Sequence, residues 1–182
     1  MTWFKSKLPA LKRFAADESG VSTVEFAIVF PFFLMILMAS FELSFVTLKH
    51  AMLERGLDMA VRDIRLGTGA YPRPTHDQIK QQICDEAAVI LDCEENLKLE
   101  MVPMDLRAYS PLNGTADCVD AAAQANPVYN FTNGGVNQLM VLRACVKYEP
   151  FLPDALLGAA LSKDTDGKAA IVSMAAFVQE PL

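Results

Sequence analysis

Histidine is scarce, and the usual marks of an active site are missing. The chain has two histidines, His50 and His76, and neither sits in an H-E-x-x-H or triad-like pattern. No nucleophile elbow, P-loop or G-x-G-x-x-G occurs either. The pair Glu94 and Glu95 adjoins a turn and reads as solvated surface. A protein without catalysis and without a cofactor is the expectation. The four cysteines contain no C-x2-C spacing, so no metal site is expected. Basic residues are thin beyond the start of the chain: Lys5, Lys7, Lys12 and Arg13 outnumber Asp17 and Glu18 there, while the remainder carries 20 acids against 12 bases. Phosphate neutralisation needs clustered Lys and Arg, so nucleic acid is not an expected partner.

Charge is absent altogether from one stretch. Phe26 to Phe41 is 16 residues without a charged side chain, and counting from Val21 gives 21 residues. As a helix those 21 residues would be about 31 Å long, the thickness of a hydrocarbon core. Membrane lipid is therefore an expected partner, with a membrane segment over residues 21–46. Basic residues before the run and few after it put the N-terminus in the cytoplasm and the rest outside. Four cysteines in that outer part suit an oxidising compartment. Three plainer readings compete: a cleaved secretory signal, a signal anchor that stays whole, and a buried core helix. The last leaves no polar face for solvent, and a conventional signal has a shorter core directly after its basic region.

One acidic residue interrupts the approach. Glu25 lies at the start of the apolar run, five positions past Gly20. A carboxylate at the bilayer edge is tolerable, whereas one at the centre costs about 2.5–3.5 kcal/mol on insertion scales. If the chain were cut after Gly20, a new ammonium would appear on Val21, one helical turn from Glu25. That amine on a neighbouring copy could pair with the carboxylate. Pro31, inside the run, removes a backbone hydrogen bond and predicts a kink or local unwinding.

The pattern resembles the class III prepilin signature: a short basic leader ending in glycine, glutamate at the fifth mature position, then a long apolar helix. More closely, "ESGVSTVEFAIVFPFF", "AVRDIRLGTGAY", "VLRACVKYEPFLP" and "AAFVQEPL", in that order, resemble the TadE-like family of minor pilins of the tight-adherence (Flp) type IV pilus, and the resemblance is shared with the sister TadF-like proteins. It implies that residues 1–20 are a cytoplasmic leader removed by a prepilin peptidase at Gly20 and Val21, with Glu25 as the subunit-pairing carboxylate. Other pilin and pseudopilin subunits and an inner-membrane assembly platform are the implied partners. The implied location is the inner membrane, with a periplasmic domain over residues 47–182. Val21 departs from the phenylalanine or methionine usual at the first mature position. The alternative is a signal-anchored periplasmic scaffold or binding domain that is neither processed nor assembled.

Beyond the apolar run, Leu53, Leu57, Ala60, Val61 and Ile64 fall at helical spacing, with Asp58 and Arg62 as an i, i+4 pair. One helix of roughly 65 Å is expected, ended by Gly67, Gly69 and "YPRP". Glu42 falls where that helix should leave the bilayer and reads as a hydrated interfacial carboxylate. Thr75 and Gln78 form a capping-box pattern before a second helix from about His76 to Leu91. "LKLEMV", "QLMVLRACVKY" and "AAIVSMAAFV" read as strands, and Asn113-Gly114 and Gly134-Gly135 as turns. The fold class expected is α+β, a long N-terminal helix and a second helix on a small antiparallel sheet. Cys84, Cys93, Cys118 and Cys145 permit three pairings. Cys84 with Cys93 and Cys118 with Cys145 is the pairing favoured, and the first bridge requires the second helix to end before Leu91, because nine helical residues would separate the Cα atoms by about 13 Å.

Overall fold

The computed structural model describes residues 21–69, 73–105, 107–108, 116, 118, 131–154 and 156–181. The leader with Gly20, the Asn113-Gly114 turn, and Tyr71 and Pro72 of "YPRP" lie outside the described residues. The elements run α1 (Val21–Leu66), α2 (His76–Glu86), α3 (Cys93–Asn96), β1 (Leu97–Pro103), β2 (Leu139–Tyr148), α4 (Leu156–Ala160) and β3 (Ala169–Val178). The fold is α+β. By its contacts the chain divides into two compact units, one ending at Phe41 and one beginning at Glu42.

In the first unit, α1 continues uninterrupted through Pro31. Residues 22–36 are exposed without exception, and Phe26 stacks on Phe30 at 4.8 Å. No described part of the chain covers these side chains. Burying one phenylalanine, leucine or isoleucine is worth about 1.5–3 kcal/mol, so the surface calls for a non-aqueous partner.

The second unit is built on the other half of α1. Leu53, Leu57, Ala60 and Ile64 recur every three or four residues and are buried in one cluster with Ile79 and Ile83 of α2 and the inner face of the sheet. Gly56 lets α2 approach closely: a Cβ there would sit 2.8 Å from the carbonyl oxygen of Ile83. α1 ends at Leu66 because Gly67 turns left-handed, at φ 60°. At that helix end Gln179 Nε2 donates to the Ile64 carbonyl at 3.0 Å and Arg65 Nε to Glu180 Oε1 at 2.9 Å, clasping the residues after β3 to α1.

α2 starts at the expected capping box. Gln78 N–H donates to Thr75 Oγ1 at 3.4 Å, and Thr75 N–H to Gln78 Oε1 at 2.8 Å. It stops at Glu86, five residues short of the expected Leu91. Ala87 leaves the helical region, and Asp92 takes a left-handed conformation at φ 51°, so the chain reverses and brings the Cα atoms of Cys84 and Cys93 within 5.6 Å.

The sheet has order β1-β2-β3, antiparallel throughout. Alternation sends Met140, Leu142, Ala144, Val146 and Tyr148 of β2 into the core beside Leu97, Leu99 and Met101 of β1 and Ile171 and Phe177 of β3. The opposite face of β2 is buried too, at Val141, Arg143 and Cys145. Arg143, 5% exposed, is paired across the strands with Glu100, its Nε 3.0 Å from Oε2. Cys145 is bridged to Cys118, Cα atoms 5.3 Å apart, which ties the chain at Cys118 to that outer face.

Candidate functional site

Of the glutamates of α1, Glu25 and Glu42 lie 17 positions apart, and their surroundings are opposite. Glu25, in the first unit, is exposed. No cation meets it among the described residues. Helical geometry sets it four residues from Val21, about 6 Å along the axis. Gly20 is outside the described residues, and so is any contact it makes. Of the expected grouping of Gly20, Val21 and Glu25, the structure therefore describes only the helical spacing of the last two, while Pro31 sits six residues past Glu25 within the same exposed apolar surface.

Glu42 is different, and it corrects the expectation of a hydrated interfacial carboxylate. It is 1% exposed. Its Oε1 accepts the Phe151 N–H at 3.1 Å and its Oε2 the Leu152 N–H at 3.0 Å. A carboxylate taken from water must have such donors, and two backbone N–H groups supply them. No local pattern announces this, because the donors lie 109 and 110 residues further along the chain.

The loop that Glu42 holds, residues 149–154, is fixed at other points as well. Lys163 Nζ donates to the Pro153 carbonyl. Gly158 of α4 lies against the Leu152 backbone so closely that a Cβ would fall 2.0 Å from its carbonyl oxygen. Phe151 stacks on Phe45 of α1 at 5.9 Å. Lys49, one turn past Phe45, lies over the Tyr148 ring at 4.6 Å. Burial pulls the Lys49 ammonium below its ordinary pKa, opposed by the Glu42 and Glu149 charges. The Tyr148 hydroxyl is pushed up by burial and by Glu42.

Both histidines have carboxylate neighbours on their own helices. His50 pairs with Glu54 on one helical face at 3.6 Å. His76 Nδ1 lies 2.9 Å from Asp77, its ring edge-on to Phe131. A shallow polar cleft of about 310 Å³ between α1 and α2 holds Asp63, Gln78 and Gln82, and Gln82 Nε2 donates to Asp63 Oδ2 at 2.6 Å. Among the described residues, no group of three or more His, Cys, Asp and Glu side chains is gathered as a metal site.

α1 is the one described helix long and apolar enough to cross a membrane, which is compatible with a single-pass anchor. No curated protein and no solved structure matches the chain. Residues 20–62, from the glycine before α1 to the helical face that enters the core, match the family model of TadE-like protein, and the chain is consistent with a TadE-like protein of the Tad pilus.

Proposed function

We propose that the chain is a minor pilin or pseudopilin of a tight-adherence pilus, cleaved after Gly20 by a prepilin peptidase. α1 holds it in the inner membrane with the body in the periplasm, and assembly then transfers the apolar half of α1 from lipid to the helices of other subunits. Its role is structural, in initiating or priming the fibre. The observation that carries this reading is the pairing of an exposed apolar helical surface with an exposed Glu25, both inside the TadE-like match. In an assembly the Glu25 carboxylate would meet the Val21 ammonium of a neighbour. The attraction between such charges is several-fold stronger in a low-dielectric bundle than in water.

A Glu25→Ala variant tests the pairing. It is expected to be cleaved as the wild type is and to lower piliation at least tenfold in cells. Wild-type piliation by the cleaved variant would remove the pairing mechanism, and an uncleaved variant would show that Glu25 serves the peptidase instead.

A further inference from the structure

The loop that Glu42 holds is fixed firmly, yet it presents its largest apolar side chain to the outside. Phe151 is 63% exposed although its backbone N–H is bound by Glu42 and its neighbour Leu152 is pressed by Gly158. Rigid support for an exposed phenylalanine is unneeded for the core, which closes without it. Phe45, the partner of Phe151, is 44% exposed and lies four residues past Phe41, where the apolar run ends. Leu91, 83% exposed, joins both in lining one open groove of about 570 Å³. Lys49 and Lys168 line the same groove, with Asp92 and Glu149 beside them. Lys168 Nζ also donates to Asn96 at 2.9 Å.

We propose that this groove is a second membrane contact: the Phe45–Phe151 pair and Leu91 rest in the headgroup region of the bilayer that α1 spans, with Lys49 at the depth of the lipid phosphates. The inference rests on the membrane-spanning reading of α1. Two observations select lipid as the occupant. Phe45 follows Phe41, where the apolar run ends, by four residues, one helical turn of chain, so it falls in reach of the interface when that run fills the hydrocarbon core. The side chains are also of the interfacial kind, aromatic and aliphatic groups beside a lysine that can extend towards phosphate. Glu42 acts as the latch: by taking both N–H groups it keeps the loop backbone from needing water and aims Phe151 outward.

The single tryptophan of the chain, Trp3, makes a fluorescence test clean once replaced by phenylalanine. In that background Phe151→Trp, Phe45→Trp and Ile36→Trp are each placed in full-length protein reconstituted into phosphatidylethanolamine–phosphatidylglycerol vesicles. The probes are phosphatidylcholines brominated high or low on the acyl chain. Ile36→Trp is expected to be quenched by the deep bromines, and Phe45→Trp and Phe151→Trp at least twofold more by the shallow ones. Adding Glu42→Ala is expected to halve the quenching at position 151 while leaving position 36 unchanged. Quenching at 36 with none at 45 and 151 would overturn the proposal and leave the span intact. Emission at 151 that shifts with protein density and ignores bromine would assign the groove to a second copy and overturn it as well. No quenching at 36 would remove the span and this contact together.

Discussion

Two halves of one helix are finished in opposite ways. From Ser22 to Ile36 every side chain is exposed, most of them apolar, and Glu25 meets no cation among the described residues. From Glu42 onward the same helix is the spine of a body that buries its own leucines, bridges its own cysteines and satisfies its own glutamate. The difference lies in where the partners are. The second half finds them within the chain, so its energetics are those of an ordinary small domain. On the proposed reading the first half is completed by something else, lipid and then other subunits, so its stability is set by surroundings. Glu25 and Glu42 differ in the same way: two backbone donors quiet the second, while the first, on the proposed reading, awaits a charge that cleavage would create.

If the two halves are independent, one can be unfolded without the other. Removing the Cys118–Cys145 bridge, by Cys118→Ala with Cys145→Ala, opens a loop closed over 27 residues, and chain-entropy arguments put the loss at about 3.5 kcal/mol. The near-ultraviolet circular dichroism of the body is expected to melt at lower denaturant, while the helical signal of residues 21–41 in vesicles persists past that transition. Loss of both signals in one step would mean that the halves are energetically one unit.

A smaller effect separates the halves within the body. Asp164 accepts N–H donors from Asp166 at 3.0 Å and Lys168 at 2.8 Å in the turn before β3, and pairs with Lys147 at 2.7 Å. The hydrogen-bonded Lys147 ammonium chiefly holds its carboxyl below the ordinary 3.8, against the effect of burial. A depressed carboxyl stabilises the folded body above the unfolded pKa and loses that contribution as pH falls through the folded value. Wild type is therefore expected to lose about 0.2–1 kcal/mol more stability than Asp164→Asn on going from pH 5 to below pH 3, measured by urea unfolding. Equal acid sensitivity would deny Asp164 this part. Because the residue is far from the apolar run in sequence, no change in membrane retention is expected.

Much of the body was legible in the sequence. Strand-like composition, with period-two alternation in β1, placed β3 to the residue and β1 and β2 within one. The Thr75 and Gln78 capping box gave the start of α2, a purely local signal. The end of α2 was not legible from periodicity, because Ile90 continues the apolar pattern and is buried, yet reaches the core from a turn. The disulfide requirement carried the correct geometry there, demanding a reversal that Asp92 makes. Burial of both faces of β2 was hidden as well: nothing in the spacing of Arg143 and Cys145 says that their face is covered, and only the pairing of Arg143 with Glu100 and the bridge at Cys145 show it. Glu42 was misread for the same reason. Position along a helix reveals depth in a membrane, while a loop returning 109 residues later leaves no mark near it.

Gly20, Val21 and Glu25 form the part of the site whose meaning depends on covalent chemistry, and the central claim is that the chain is cut there. Intact-mass measurement of the protein extracted from the inner membrane addresses it directly. A product beginning at Val21 is expected, its mass lower by that of residues 1–20. A product beginning at Met1, or at a site after Ser40, would contradict the processing and with it the origin of the charge that Glu25 is proposed to meet.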